Sequence, residues 1–552
     1  MATASVEGIG GLLDLVRSHC FCIRQLRRLK MLHKICTMIL QREICSRFTS
    51  NDRKFCIRSA INKFRNMMML VFGELMKNSF FFLLIFMLSS SVFCQDNDSN
   101  PVLTIEGGKV IGVQTPTKGV IAYKGIPFAA PPVGELRWKE PQPVVPWNGV
   151  KTADKYGAAA EQVTWDPQSF YGKEWRASGS VPFSEDCLYL NIWTSAASQI
   201  GKKLPVAMWI HGGGYREGFA FEPEMDGGEE WASCGVILVS VTYRLGILGF
   251  FSHPLLSAES PHGVSGNYGL LDQIAALTWI HDNIEQFGGD PNNITIFGQS
   301  AGAGSVQALC ASPLSKNMIS NAISMSGGGL GNFGLGGGSL DTVQLASKNM
   351  MDYFKKTTLT EMRALSFEEL LQKSKVYSDS TKKRIFWGPV IDNYVSEGTF
   401  SEEAKAGKIA DIPYIFGYTA NDLLDMTKAV EDFCALRAEK SSKPAYAYLF
   451  ARQLPGDSSG AFHSADLWYV FHSFRHSWRP FTADDQALSK LMVTYWTNFA
   501  KFGNPNGAQK GTWTPYSVQD AKLMEFNVIG DEAACAMTSS PKYKGSAFKW
   551  QR

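Results

Sequence analysis

Short apolar runs alternate with helical patterns along most of this chain, and that alternation restricts the fold more than any other feature. Val206–Ile210, Val236–Thr242, Ile294–Phe297 and Ile412–Phe416 each read as a buried strand. Gly269–Phe287 and Ala301–Ala311 carry helical patterns between them, and Leu488–Phe502 carries a late one. Strands that are apolar on both faces need helices on both faces, so the expected class is α/β with a doubly wound, mostly parallel sheet. No linker, repeat or charge run interrupts the chain after Gln95, so residues 95–552 read as one large domain. The glycine-rich stretch Gly327–Gly338 reads as a loop.

The N-terminal part has a different character. Residues 1–75 hold 13 Lys/Arg and 5 Asp/Glu, a balance of +8, whereas the remainder holds 41 and 46, a balance of −5. The body therefore offers no basic face for nucleic acid. Met76-Lys77-Asn78-Ser79 precedes nine apolar residues, Phe80–Leu88, and then small and polar residues. This pattern predicts a signal peptide over 76–94, cleaved near Cys94, and a secreted or periplasmic protein. The run falls short of the ~20 residues that span a bilayer. Met76 then reads as the biological start, and 1–75 as a basic extension that is either not native or not ordered. The alternatives are a transit-like extension and an uncleaved signal segment anchoring the protein to a membrane. The body keeps only Cys187, Cys234, Cys310, Cys434 and Cys535, widely spaced, so neither a disulfide framework nor a zinc site is indicated.

The pattern G-x-S-x-G occurs twice, at Gly298-Gln299-Ser300-Ala301-Gly302 and at Gly456–Gly460. It carries chemistry when a sharp strand-to-helix turn lifts the serine Oγ above a sheet, where crowding demands small residues. The first copy has an apolar strand before it and a small-residue helix after it. The second follows Leu454-Pro455, meets no helix start and reads as a loop. Val206–Ile210 also ends in His211-Gly212-Gly213-Gly214, a run whose backbone N–H groups can approach a developing oxyanion without Cβ obstruction. Gly213, Gly214 and Ala301 are the expected donors. A strand, a glycine run and then such an elbow point to the α/β-hydrolase fold, whose chain order is serine, acid, histidine. Three histidines follow Ser300: His463 in a loop after the strand-like Tyr446–Phe450, and His472 and His476 in an aromatic, basic stretch suited to a surface or rim. His463 is the expected base. Asp422, on the loop leaving Ile412–Phe416, is the expected acid, with Asp425 and Asp392 as alternatives.

Together these segments resemble the type-B carboxylesterase/cholinesterase family over essentially all of 101–552. The resemblance rests on Ser184-Glu185-Asp186-Cys187-Leu188-Tyr189-Leu190-Asn191, the glycine run, Tyr243-Arg244-Leu245-Gly246, Gly266–Gln273, Phe287–Pro291, the elbow, and Phe499–Asn506. It implies a carboxylic ester hydrolase with Ser300 as nucleophile, His463 as base and Asp422 as acid. It further implies buried ion pairs Arg137–Glu185 and Arg244–Asp272, with Ser326 supporting the acid. The substrate would be a small-molecule ester, with no metal or cofactor. Four departures stand out: the acid is commonly Glu, the residue before the serine is commonly Glu rather than Gln299, the early disulfide partner of Cys187 is missing near Ala160, and only 41 residues (463 − 422) separate Asp422 from His463. The short spacing resembles bacterial secreted members of the family, as does the segment Gly460-Ala461-Phe462-His463-Ser464-Ala465-Asp466.

Other readings are weaker. Gly329-Leu330-Gly331-Asn332-Phe333-Gly334 fits a dinucleotide pattern, but the next helical pattern starts near Asp341, too far on for a phosphate-binding turn. Asn97-Asp98-Ser99 and Asn293-Ile294-Thr295 match the glycosylation sequon. Trp165 and Trp175 read as core or rim residues rather than a choline-stacking site. A polysaccharide acetyl or feruloyl esterase is the alternative enzyme, and a non-catalytic adhesion or binding protein the alternative from another class.

Overall fold

The computed structural model describes residues 100–552 apart from 164–165, 176–180, 196–200, 223–226, 332–337, 509–510, 531, 540–542 and 547–552. The extension 1–75, the segment 76–94, the Asn97 sequon, Trp165 and part of the glycine-rich stretch lie outside the described residues.

In chain order the strands are β1 (Val102–Ile105), β2 (Gly108–Ile111), β3 (Val113–Gln114), β4 (Ile121–Pro127), β5 (Val150–Thr152), β6 (Ala159–Ala160), β7 (Phe183–Ser184), β8 (Tyr189–Thr194), β9 (Leu204–Ile210), β10 (Ile237–Val241), β11 (Gly289–Gln299), β12 (Asn321–Met325), β13 (Tyr414–Thr419), β14 (Ala445–Phe450), β15 (Leu523–Ile529) and β16 (Glu532–Thr538). Eleven of them form one mixed sheet in the order β16-β15-β14-β13-β12-β11-β9-β10-β8-β4-β3. Pairing is parallel from β15 across to β10 and antiparallel at both flanks. The expected doubly wound parallel core is therefore present, with antiparallel margins that the apolar-run pattern did not indicate.

The central strands are buried along their whole length, as β10, β12, β13 and β14 show. The helix Ala301–Ala311 packs on β11 and β12 and against the helix Tyr268–Asn283, while Ala483–Phe502 reaches β9, β11, β15 and β16. Trp209, Trp231, Phe297 and Phe471 form an aromatic cluster against β9 and β11, with Trp231 stacked on Phe297 at 4.8 Å.

Element boundaries move for local reasons. The late helix begins at Ala483 because Thr482 and Asp485 form a capping box, five residues before its apolar pattern becomes regular. β13 starts at Tyr414 because Pro413 has no N–H for the ladder. Both implied ion pairs form. Arg244 Nε and Nη2 donate to Asp272 at 2.8 and 2.7 Å, with the carboxylate fully buried. Arg137 Nε donates to Glu185 at 2.6 Å. Such pairs specify register more than they add net stability. Cys187 is a buried free thiol, and it lines a small cavity together with Ala160. No helix among the described residues is long and apolar enough to cross a membrane.

Candidate active site

Parallel strands place their carboxyl ends on one edge, and the loops leaving β9, β11, β12, β13 and β14 all contribute here. β11 runs into Ser300, whose backbone has φ 57° and ψ −121°. A side chain rarely tolerates that conformation, so surrounding contacts must hold it. Ser300 N donates to Met325 O at 2.8 Å, and Gly304 N to Ser300 O at 3.0 Å. The glycines of the elbow are sterically required: a Cβ on Gly302 would stand 2.1 Å from Ile210 O, and one on Gly298 2.5 Å from the Gly302 backbone. Ala301 opens the helix, where N–H groups lack intrahelical acceptors. Ser458, in the second pattern, lies exposed in a turn with no helix after it.

His463 Nδ1 donates to Asp422 Oδ1 at 2.6 Å. Both residues are buried, Asp422 completely. The two loops are stitched together by Asn421, whose N donates to Ala461 O at 2.9 Å and whose Oδ1 accepts from Ala461 N at 3.0 Å. Gly460 is needed for this approach, since a Cβ there would meet Asn421 Oδ1 at 2.3 Å. Thr419 N and Oγ1 both donate to Asp422 Oδ2 at 3.1 Å. Burial pushes the Asp422 carboxyl up, but the His463 charge and hydrogen bond, with help from Ser326 and the Thr419 backbone, hold it below the usual carboxylate range. Ser326 is buried at φ 52°, with its hydroxyl near Asp422 but short of full hydrogen-bonding geometry.

The alternatives lie elsewhere. Asp392 accepts from Asn267 and from three backbone N–H groups of its own turn. Asp425 is exposed. His476 is exposed too, while His472 is half-buried against Ser489 at 2.7 Å rather than at the surface.

Ser300, His463, Gln299, Gly213 and Gly214 line one cavity of about 230 Å3. The N–H groups of Gly213, Gly214 and Ala301 meet no acceptor among the described residues. Gln299, buried, places its amide Nε2 3.1 Å from His463 Nε2. With Nδ1–H given to Asp422, Nε2 is an acceptor and the amide donates to it. In this conformation no hydrogen bond joins the Ser300 hydroxyl to His463; such contacts often tighten only with substrate. Tyr171, Trp175, Leu423 and Leu467 form the apolar part of the lining. Trp175, read from sequence as a core or rim residue, thus faces the cavity, half-buried and stacked near Tyr171 at 6.1 Å. Tyr171, Asn421, Leu423 and Leu467 were not singled out from the sequence, because nothing local distinguishes a side chain that a distant loop happens to meet.

Asp466 is a further buried carboxylate close to Asp422 and His463. Tyr448 Oη donates to its Oδ2 at 2.8 Å, and Oδ1 has no partner. Burial, joined by the Asp422 charge and opposed by the Tyr448 bond, pushes its carboxyl up to about 6. A raised acid binds its proton more tightly in the folded state, so its stabilising effect is present at low pH and lost as pH rises through about 6. Asp466→Asn, which mimics the protonated form, is expected to stabilise the protein at pH 8 by about 3 kcal/mol and to have little effect at pH 4. Urea unfolding of both proteins at the two pH values measures this. An equal effect at both would show that Asp466 stays ionised.

The chain matches the carboxylesterase family model over residues 99–433 and 424–543. It is 32% identical over 529 residues to carboxylesterase 1F of Mus musculus, covering 79% of this chain and 92% of that one. It is 39% identical over 342 residues to fumonisin B1 esterase of Sphingopyxis macrogoltabida, covering 61% of this chain but only 59% of that esterase. Among solved structures, a thermophilic PNB esterase superposes with a TM-score of 0.68 at 27% identity, over 80% of this chain and 98% of its own. A second PNB esterase gives a TM-score of 0.67 at 26% identity, covering 80% and 97%. The chain has the α/β-hydrolase fold, hydrolyses carboxylic esters and belongs to the carboxylesterase family.

Proposed function

We propose that Ser300 is the nucleophile, His463 its base and Asp422 the acid that orients the base. Gly213, Gly214 and Ala301 are the oxyanion donors of this reading. The observation that carries it is the 2.6 Å bond from His463 to buried Asp422, made at the wall of the cavity that Ser300 lines. His463 takes the Ser300 proton as Oγ attacks the ester carbonyl, and the alcohol departs from an acyl-enzyme. His463 then activates water, which releases the acid. Asp422 holds the tautomer in which Nε2 can accept the proton. Gln299 occupies Nε2 at rest, so its amide must yield to the serine hydroxyl when substrate enters. Ser326 supports the acid loop. The natural substrates are small-molecule esters that fit beside Tyr171 and Trp175. Residues 95–552 form the mature enzyme in this reading, with 76–94 a signal peptide that directs secretion and 1–75 an extension outside the working domain; the support is the residue pattern of that region.

The test is covalent capture. With p-nitrophenyl acetate a stoichiometric burst of p-nitrophenol is expected, and a phosphonylating reagent should add its mass to the peptide carrying Ser300. Labelling elsewhere, with activity lost in step, would overturn the assignment.

A further inference from the structure

The cavity lining includes charged as well as apolar residues. Arg216 is one of the charged residues, with Glu217 and buried Glu222. Its position is set by a tight turn in which Gly213 O accepts from Arg216 N at 3.1 Å and from Glu217 N at 3.2 Å. That turn requires Gly213 at φ 102°, where a Cβ would stand 2.0 Å from Glu217 O.

Both ends of the turn are anchored. Tyr215 is fully buried, and its carbonyl accepts from Gly246 N at 2.6 Å. Gly218 is clamped by the Gln162 amide, which accepts from its N–H at 2.8 Å and donates to its carbonyl at 2.9 Å. Between these anchors the Arg216 side chain is exposed, and it makes no hydrogen bond or ion pair with any described residue. It nevertheless lies against the glycine run: a Cβ on Gly214 would be 3.7 Å from both Nε and Nη2 of Arg216.

A guanidinium presents a planar fork that suits a carboxylate, and a rigid backbone lowers the entropy lost on pairing. Its neighbour Glu217 does not consume this charge. Burial pushes the Glu217 carboxyl up to about 7, with Arg216 opposing, so at neutral pH it is partly protonated and able to donate as well as accept. Arg216 is therefore a cation at the edge of the glycine run, hydrogen-bonded to no described carboxylate.

We infer that Arg216 selects esters that carry a carboxylate on their acyl or alcohol part, binding that carboxylate at the edge of the glycine run. The inference rests on the ester-hydrolase reading of the cavity and names the substrate class within it.

The test compares matched pairs of substrates. On the acyl side, monomethyl glutarate is set against its terminal amide. On the alcohol side, 3-acetoxypropionate is set against 3-acetoxypropionamide. The wild-type enzyme is expected to prefer the carboxylate member of at least one pair by about tenfold in kcat/KM, the range of one charged hydrogen-bonded contact. In Arg216→Gln that ratio should fall to about one, and Arg216→Lys should keep part of it. Because the readout is a ratio within one protein, a general loss of activity in a variant does not imitate the effect. Equal kcat/KM within both pairs for the wild type, or a preference that survives in Arg216→Gln, would overturn the inference. Failure of the wild type to hydrolyse p-nitrophenyl acetate through Ser300 would instead count against the active-site assignment, so the two failures are distinguishable.

Discussion

Ser300→Ala is expected to lower kcat for p-nitrophenyl acetate by roughly 10^4- to 10^6-fold, while the protein stays folded. The loss is large because the hydroxyl supplies the bond that forms in the first step, and a residual rate over water survives only through the oxyanion donors and binding. Stability should change little. Alanine has the same Cβ, so it inherits the strained φ of 57° and the Ser300 N–Met325 O bond. Ser458→Ala is the internal control, since that serine lies exposed in a turn. Its activity should stay within twofold of the wild type, an outcome in line with ordinary surface substitutions. Substantial turnover in Ser300→Ala, or a matching collapse in Ser458→Ala, would move the nucleophile.

Asp422→Asn should cost kcat on the order of 10^3- to 10^4-fold with little change in KM. The asparagine amide can donate to Nδ1, which favours the tautomer carrying its proton on Nε2. That tautomer cannot accept the serine proton. KM should hold because Asp422 stands behind His463, away from the cavity lining. Steady-state kinetics with the same ester measures both constants. A KM rise with kcat preserved would show that Asp422 shapes the cavity and does not orient the base. The Asp422 carboxylate meets His463 where Asn421 joins the two loops and Gly460 permits their close approach.

Much of the catalytic face was legible locally. The helix Ala301–Ala311 has the bounds its pattern predicts, because small residues after a strand leave little other choice. The glycines proposed as oxyanion donors stood out as a run after a strand, and the structure holds Gly213 at φ 102°. The antiparallel flanks were not legible. β3 is two residues long, too short for a period to show, and neither β4 nor β16 alternates regularly between buried and exposed residues. The start of the late helix was missed for another reason: apolar spacing finds the packed face, whereas a capping box sets the end.

The sequence by itself determined the class of fold and the identity of the turn that presents Ser300. These depend on neighbours a few residues apart, through periodicity and steric exclusion. It also narrowed the proposed base to His463 by chain order. Only the tertiary structure decided how Asp422 meets His463. Asp422 and His463 are 41 residues apart, and parallel pairing of β13 with β14, in the register Tyr414 with Ala445, brings their loops to one edge. The same holds for the cavity. Tyr171 lies in a short helix that Trp175 caps, Arg216 lies in a turn and Leu467 opens another short helix, and no local signal links these three segments. Their common surface exists because the sheet places its carboxyl ends side by side, a consequence of long-range pairing that residue order does not display.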